Sequence, residues 1–93
     1  MFKKRRGIHI PYNDQGLIYF TCMSIKKQPQ EVQDKILNLC MYCAGENYQA
    51  LYECMTNDHI SVAGIAMKYF IAERTLYNYR KKFYESWEKF REK

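Results

Sequence analysis

The sequence predicts an all-α fold, a single domain of five helices with a basic N-terminal arm and a long last helix. Apolar residues recur at helical spacing along most of the chain. No Asn-Gly or Asp-Gly hairpin signal and no sustained alternation favours a strand. With 93 residues, 47% of them hydrophobic, the chain is long enough for one packed domain and too short for two.

The arm and the first helix come first along the chain. Gly7 and Pro11 interrupt residues 1–13, so this basic segment is expected to precede the domain proper, residues 14–93. Asn13 or Asp14 is expected to cap a helix that runs through "QGLIYFTCMSIKK". Because this helix is apolar on more than one side, we expect it to be largely buried.

Two amphipathic helices are predicted next. Pro29 suits the first turn of the second helix, and Gly45 suits its end. Its apolar stripe is Val32, Ile36, Leu39, Cys40 and Cys43. The third helix, "ENYQALYECM", has the stripe Tyr48, Leu51, Tyr52 and Met55, and "TNDH" ends it with turn-forming residues.

A short fourth helix and a long fifth helix complete the fold. Ser61 is expected to cap "VAGIAMKYF", in which Ala63, Gly64 and Ala66 allow close helix packing. The fifth helix begins at Glu73 and has an inner face of Leu76, Tyr79, Phe83, Trp87 and Phe90. The aromatic end of that face predicts self-association, a homodimer.

Cysteine and histidine content bears on metal binding and catalysis. "CMYC" is a C-x-x-C pair with Cys54 and His59 downstream, which raises zinc as an alternative. Cys40 and Cys43 fall on the apolar stripe, however, which favours buried thiols and no metal or other cofactor. Only His9 and His59 are available as histidine bases, and no catalytic motif occurs, so we do not expect an enzyme.

Charge and hydropathy define the expected setting. Residues 1–27 and 73–93 carry net positive charge and residues 28–72 net negative charge, within a total of +5. This distribution favours a polyanionic partner that touches both ends, although a solvated lysine-rich surface is the alternative. No apolar run approaches the ~20 residues of a membrane span. The start, "MFKKRRGIHIPYND", lacks the apolar core of a secretory signal, so we expect a cytoplasmic protein without a membrane partner.

The last two helices have the pattern of a helix-turn-helix at residues 61–82. Such a motif needs a small residue in its first helix and apolar anchors around the turn. The motif core is expected to comprise Ile65, Ala66, Tyr69, Ile71, Leu76 and Tyr79. The outward side chains that suit base contacts in duplex DNA are Glu73, Arg74, Thr75, Tyr77, Asn78 and Lys81. The side chains expected to contact phosphates are Lys3, Lys4, Arg5, Arg6, Arg80 and Lys82.

The segment "ISVAGIAMKYFIAERTLYNYRKKF" resembles the helix-turn-helix of sigma-factor region-four-like regulators, especially small phage transcriptional activators of the RinA and ArpU type. The resemblance implies a transcriptional regulator of phage or mobile-element origin, in a bacterial or phage-infected cell, with the helix from Glu73 as recognition helix. Two positions depart from the family pattern. Ala72 stands where the family usually has a capping Ser. Phe70 stands where Gly or Asn is common, so we expect the turn to keep Phe70 at negative φ or to open.

Two other functions remain as alternatives. The chain could be a small phage or mobile-element module that keeps the helix-turn-helix as a scaffold and binds a protein, such as a host RNA polymerase, a nuclease or another regulator. Nine tyrosines also raise RNA or single-strand binding by base stacking, although tyrosines at helical spacing are usually part of the core and its rim.

Overall fold

A computed structural model describes residues 11–57 and 59–87 of the chain. These residues form α1 (Tyr12–Met23), α2 (Gln30–Ala44), α3 (Tyr48–Thr56), α4 (Val62–Lys68) and α5 (Glu73–Ser86). Single 3₁₀ turns, Ile25–Lys27 and Gly45–Asn47, follow α1 and α2. This part of the chain contains no strand, so the all-α prediction is confirmed for it.

The start of α1 differs from the prediction. The helix begins at Tyr12 with Pro11 in the capping position, and no side chain caps it. Pro11 has φ −59° and ψ 150°, and its carbonyl oxygen accepts a 3.0 Å hydrogen bond from the Gln15 backbone N–H. Asn13 and Asp14 therefore lie inside the first turn, where Asp14 favours the positive end of the helix dipole. The predicted cap at Asn13 or Asp14 was wrong, and the helix starts two residues before the predicted domain boundary at residue 14.

The end and the burial of α1 also differ. The α-helix stops at Met23 rather than Lys27, and Ile25–Lys27 forms a 3₁₀ turn instead. Ser24, the C-cap residue, donates from its backbone N–H and its hydroxyl to the Phe20 carbonyl, at 3.1 and 2.7 Å. Among the helices, α1 packs chiefly against α3. Leu17 and Phe20 consequently remain 66% and 57% exposed. The prediction of a largely buried helix was wrong, since only Gln15, Ile18 and Cys22 of α1 are buried.

The apolar faces of α2 and α3 form the centre of the core. The buried residues of α2 include the predicted Ile36, Leu39, Cys40 and Cys43, with Val32 at the edge. Pro29 occupies the N-cap of α2 rather than its first turn. Gly45 ends α2 with φ +55°, a conformation that Gly adopts without steric penalty, as predicted.

The helix α3 starts two residues later than predicted, because Gly45–Asn47 forms a 3₁₀ turn first. Its stripe is arranged as predicted, with Leu51 and Met55 buried and Tyr48 and Tyr52 half-buried at the edge of the core.

The last helix, α5, packs on α2, α3 and α4. Leu76 and Phe83 are inaccessible to solvent, and Tyr84, which the sequence analysis placed outside the inner face, is buried as well. The centroids of the Trp87 and Phe83 rings are 5.9 Å apart. Lys35 Nζ lies over the Trp87 ring, 3.9 Å from its centroid. The described part of the predicted dimer seam is therefore used within this chain's own core. Phe90, the last residue of that seam, lies outside the described residues.

None of the helices in the described part of the chain has both the length and the apolar character needed to cross a membrane.

The two helices of the predicted motif have contrasting N-caps. The Ser61 hydroxyl accepts a 3.0 Å hydrogen bond from the Gly64 backbone N–H, as predicted. Ala72 occupies the N-cap of α5 with φ −68° and ψ 138°, the backbone conformation of a cap residue, but it has no side-chain acceptor.

This contrast predicts opposite effects of two substitutions. Ala72→Ser should raise the free energy of unfolding by about 1 kcal/mol, whereas Ser61→Ala should lower it by about 1 kcal/mol. Urea unfolding followed by circular dichroism measures both. An unchanged unfolding midpoint for Ala72→Ser would contradict the cap geometry described here.

Candidate nucleic-acid interface

The connection between α4 and α5 is a four-residue turn, Tyr69–Ala72, closed by backbone hydrogen bonds. The Ile71 N–H donates to the Ala66 carbonyl at 3.0 Å, and the Phe70 N–H donates to the Met67 carbonyl at 3.3 Å. This pair of bonds is the Schellman arrangement, in which the residue after the C-cap adopts the left-handed conformation. The backbone of the turn between α4 and α5 is therefore fixed by these two hydrogen bonds.

Phe70 is the residue in the left-handed position. Its φ is +57°, and its side chain is 95% exposed. The expectation of a negative φ or an open turn was wrong, because closing both backbone bonds requires a positive φ at this position. A non-glycine residue in this conformation costs roughly 1–2 kcal/mol. With an almost fully exposed ring, Phe70 gains little from packing to offset that cost.

The core of the predicted motif lies at the α4–α5 contact. Ile65, Ala66 and Leu76 are buried, whereas Tyr69, Ile71 and Tyr79 are half-buried against them. Ala66 is the only one of the three small residues of α4 that is buried, since Ala63 is exposed and Gly64 lies against its own neighbours Ile60 and Ser61.

Polar side chains fasten this helix pair to the rest of the domain. The Glu53 carboxylate of α3 accepts hydrogen bonds from Lys68 Nζ at 2.8 Å and from the Tyr69 hydroxyl at 3.3 Å. The hydrogen bond to Glu53 raises the pKa of Lys68. In addition, the Asn47 amide donates to the Tyr79 hydroxyl at 3.1 Å. Lys68 is therefore engaged within the protein rather than presented to a ligand.

The outer face of α5 is the side opposite Leu76 and Phe83. Arg74, Asn78 and Lys81 follow the i, i+4, i+7 spacing, which aligns them on this face. Of the six predicted base-contacting side chains, Glu73, Arg74, Tyr77 and Asn78 are exposed, and Thr75 and Lys81 are half-buried. Glu73, three residues before Leu76, lies nearer the inner side of the helix, in its first turn.

Two further cations lie on the flanks of α5. The Arg80 guanidinium carbon is 4.8 Å from the centroid of the Tyr77 ring, and the Arg80 Nε atom is shielded from solvent. Lys82 Nζ lies 4.8 Å from the centroid of the Tyr42 ring of α2. Arg80 lies one turn after Leu76 and therefore beside the inner face, whereas Lys82, two positions further on, lies at the edge of the outer face.

The charge of the described part is almost balanced. Residues 11–57 and 59–87 carry eight Lys and Arg side chains and seven Asp and Glu side chains. On α5 itself, Glu73 and Glu85 accompany the cations. The predicted phosphate contacts Lys3, Lys4, Arg5 and Arg6 lie outside the described residues, and they account for most of the chain's formal net charge of +5.

The thiols are shielded rather than exposed. Cys22, Cys40 and Cys43 are buried, and Cys54 is half-buried. Burial raises the pKa of the Cys22 thiol to about 12 and raises the pKa of the Cys40 and Cys43 thiols as well. Buried protonated thiols are poor nucleophiles. Among the residues described, no group of three or more His, Cys, Asp or Glu side chains is placed to hold a metal ion.

Comparison with protein-family models, with curated proteins and with solved structures gives no match. Three features of the candidate site have no signal in the sequence pattern, namely the Asn47–Tyr79 hydrogen bond, the stacking of Lys82 on Tyr42, and the closed form of the turn at Phe70.

The left-handed conformation of Phe70 leads to a stability prediction. Phe70→Gly should raise the free energy of unfolding by about 0.5–1 kcal/mol, because relief of the left-handed strain exceeds the added entropy of glycine in the unfolded chain. Phe70→Ala keeps the Cβ atom and should change the stability by less than about 0.5 kcal/mol. Chemical denaturation measures both variants. Destabilisation by both would mean instead that the exposed ring contributes to folding.

Proposed function

We propose that this protein is a double-stranded DNA-binding transcriptional regulator of phage or mobile-element type, in which α4, the turn and α5 form a helix-turn-helix at residues 61–82. The carrying observation is the closed four-residue turn, which fixes α5 with Leu76 inside and Arg74 and Asn78 outside. A helix held in this way can enter the major groove with its first turns leading.

The outer face of α5 has suitable chemistry for base contacts. Arg74 can pair with guanine, Asn78 can pair with adenine, and the Thr75 methyl group can contact thymine. Glu73, at the first position of α5, can accept from a cytosine amino group. An α-helix with its side chains is about 10–12 Å wide, which fits the major groove of about 12 Å.

The flanking groups suit the phosphates that border the groove. Lys82 lies at the edge of the outer face, and the Tyr77–Arg80 pair lies on the opposite flank of α5, with Arg80 nearer the inner face. Because Arg80 lies beside the inner face with its Nε atom shielded from solvent, Lys82 and Lys81 are the better candidates for direct phosphate contacts on α5.

The arm would supply most of the non-specific attraction. The described part is almost neutral, so long-range attraction to a polyanion depends on Lys3, Lys4, Arg5 and Arg6. In this proposal α5 selects the DNA sequence and the arm adds affinity for DNA of any sequence.

The first test concerns salt dependence. Each phosphate neutralised contributes about −0.9 to the slope of log affinity against log salt concentration. Replacing Lys3, Lys4, Arg5 and Arg6 together by Ala should make that slope less negative by about 3–4 if all four contact phosphates. Fluorescence anisotropy with a duplex from a random-pool selection measures it. A slope near zero for the unaltered protein would contradict DNA binding by any part of the chain.

The second test concerns sequence selection. Arg74→Ala and Asn78→Ala should each cost about 1–3 kcal/mol on the selected duplex and relax the preference at one base pair. Lys82→Ala should instead weaken binding to all duplexes by similar factors.

A matched control is Asn38→Ala, the same chemical change at an exposed position of α2. It should leave the affinity and the selected sequence unchanged. Equal losses for Asn38→Ala and Asn78→Ala would rule out α5 as the recognition helix.

A further inference from the structure

A second surface feature is a groove along α2 and α3. It consists of two adjoining hollows, of about 600 and about 430 Å³, and we call it the α2–α3 groove. The two hollows share the lining residues Tyr52, Thr56 and Asn57. No α5 residue lines either hollow, so the groove is separate from the proposed DNA-contacting face.

Helical spacing explains its elongated shape. Gln33 and Leu37 of α2 are one turn apart, and Tyr48, Tyr52 and Thr56 follow each other at one-turn intervals on α3. Tyr48 to Thr56 corresponds to about 12 Å along the helix axis. An extended chain covers that distance with about four residues.

The two ends of the groove differ in charge. The first hollow includes Lys26 and Lys27 of the 3₁₀ turn after α1, together with His59, all exposed. Among the described residues that line it there is no carboxylate, and Asp58, between Asn57 and His59, lies outside the described residues. The second hollow is lined by three half-buried tyrosines and Leu37, and Glu53 is the one charged residue among the described residues that line it. The groove is therefore basic at one end and apolar with an acidic edge at the other.

We propose that the α2–α3 groove binds a short extended segment of a partner protein, with an acidic side chain at the Lys26–Lys27 end and an apolar or aromatic side chain at the tyrosine end. The volumes of both hollows lie in the range of ligand sites, and tyrosines give large contact area at low entropic cost. The charge asymmetry is the feature that selects this partner.

The same asymmetry disfavours a nucleic acid as the occupant. A nucleic-acid strand carries a phosphate at every step, so it would bring negative charge past Glu53 at the tyrosine end. The cation nearest to Glu53 is Lys68, and the carboxylate already accepts its hydrogen bond at 2.8 Å. A peptide that is acidic at one end only meets no such repulsion.

The test begins with a probe selected on the protein itself. Random octapeptides displayed on phage are selected on the immobilised full chain, and the most enriched peptide is synthesised with a fluorescent label. We expect the enriched peptides to combine Asp or Glu with an aromatic or large aliphatic residue about three or four positions away. Absence of any enriched peptide, or enrichment of basic peptides, would overturn the proposal.

Charge-reversal variants locate the binding site of that peptide. Lys26→Glu with Lys27→Glu should weaken its affinity by about tenfold or more. Lys81→Glu with Lys82→Glu makes the same change in net charge on α5 and should alter peptide affinity by less than about twofold. Equal effects of both double variants would overturn the location. Circular dichroism confirms that each variant is folded.

Amide chemical shifts give a measurement that needs no substitution. Addition of the peptide to the ¹⁵N-labelled full chain should shift the amides of Gln33, Tyr52 and Thr56 and leave those of Arg74 and Asn78 in place. Shifts confined to α5 would overturn the proposal. A duplex probe that shifts the groove amides and displaces the peptide would assign the groove to nucleic acid instead. Because α5 and the groove are probed separately, either proposal can fail without the other.

Discussion

Burial of the inner face of α5 is the constraint on which the rest of the structure depends. Leu76 and Phe83, two turns apart, are both inaccessible to solvent. Burial of side chains of this size stabilises by about 1.5–3 kcal/mol each. Rotation of α5 about its axis by about 100°, the angle of one residue, would expose both side chains. Their burial therefore fixes the direction of every other side chain on the helix. The side that presents Arg74 and Asn78 is therefore set by apolar packing on the opposite side of the helix, and the polar groups of the exposed side chains do not determine it.

The apolar stripes were predictable because buried positions of a helix recur in the sequence as apolar residues three or four positions apart. Ile36, Leu39, Leu51 and Met55 are buried as their spacing indicates. Helix ends were less predictable, since a proline carbonyl starts α1 where side-chain caps were expected. The exposure of Leu17 could not be predicted from α1 alone. It depends on how few neighbours pack on that helix.

The candidate site likewise has features that the sequence predicts and features that depend on tertiary contacts. Which α5 residues face outward follows from the period of Leu76, Tyr79 and Phe83, and sequence alone places them. Which cations remain accessible depends on contacts between distant segments. Lys68 is bound by Glu53, fifteen residues away, and the Nε atom of Arg80 is shielded from solvent. Contacts of this kind leave no periodic signal, so a count of basic residues overstates the charge that a ligand meets.

The short helix α4 has a consequence for motion. It contains seven residues, held by the Ser61 cap at one end and by the strained closure at Phe70 at the other. Segments with few stabilising contacts open locally at a lower free energy than the whole domain unfolds. The amide of Ile71, whose hydrogen bond to Ala66 spans the turn, would then exchange with solvent through this local opening, while the amides within α2 and α3 report global unfolding. Local opening of α4 would thus loosen its connection to α5, while burial of Leu76 and Phe83 keeps α5 packed on α2 and α3.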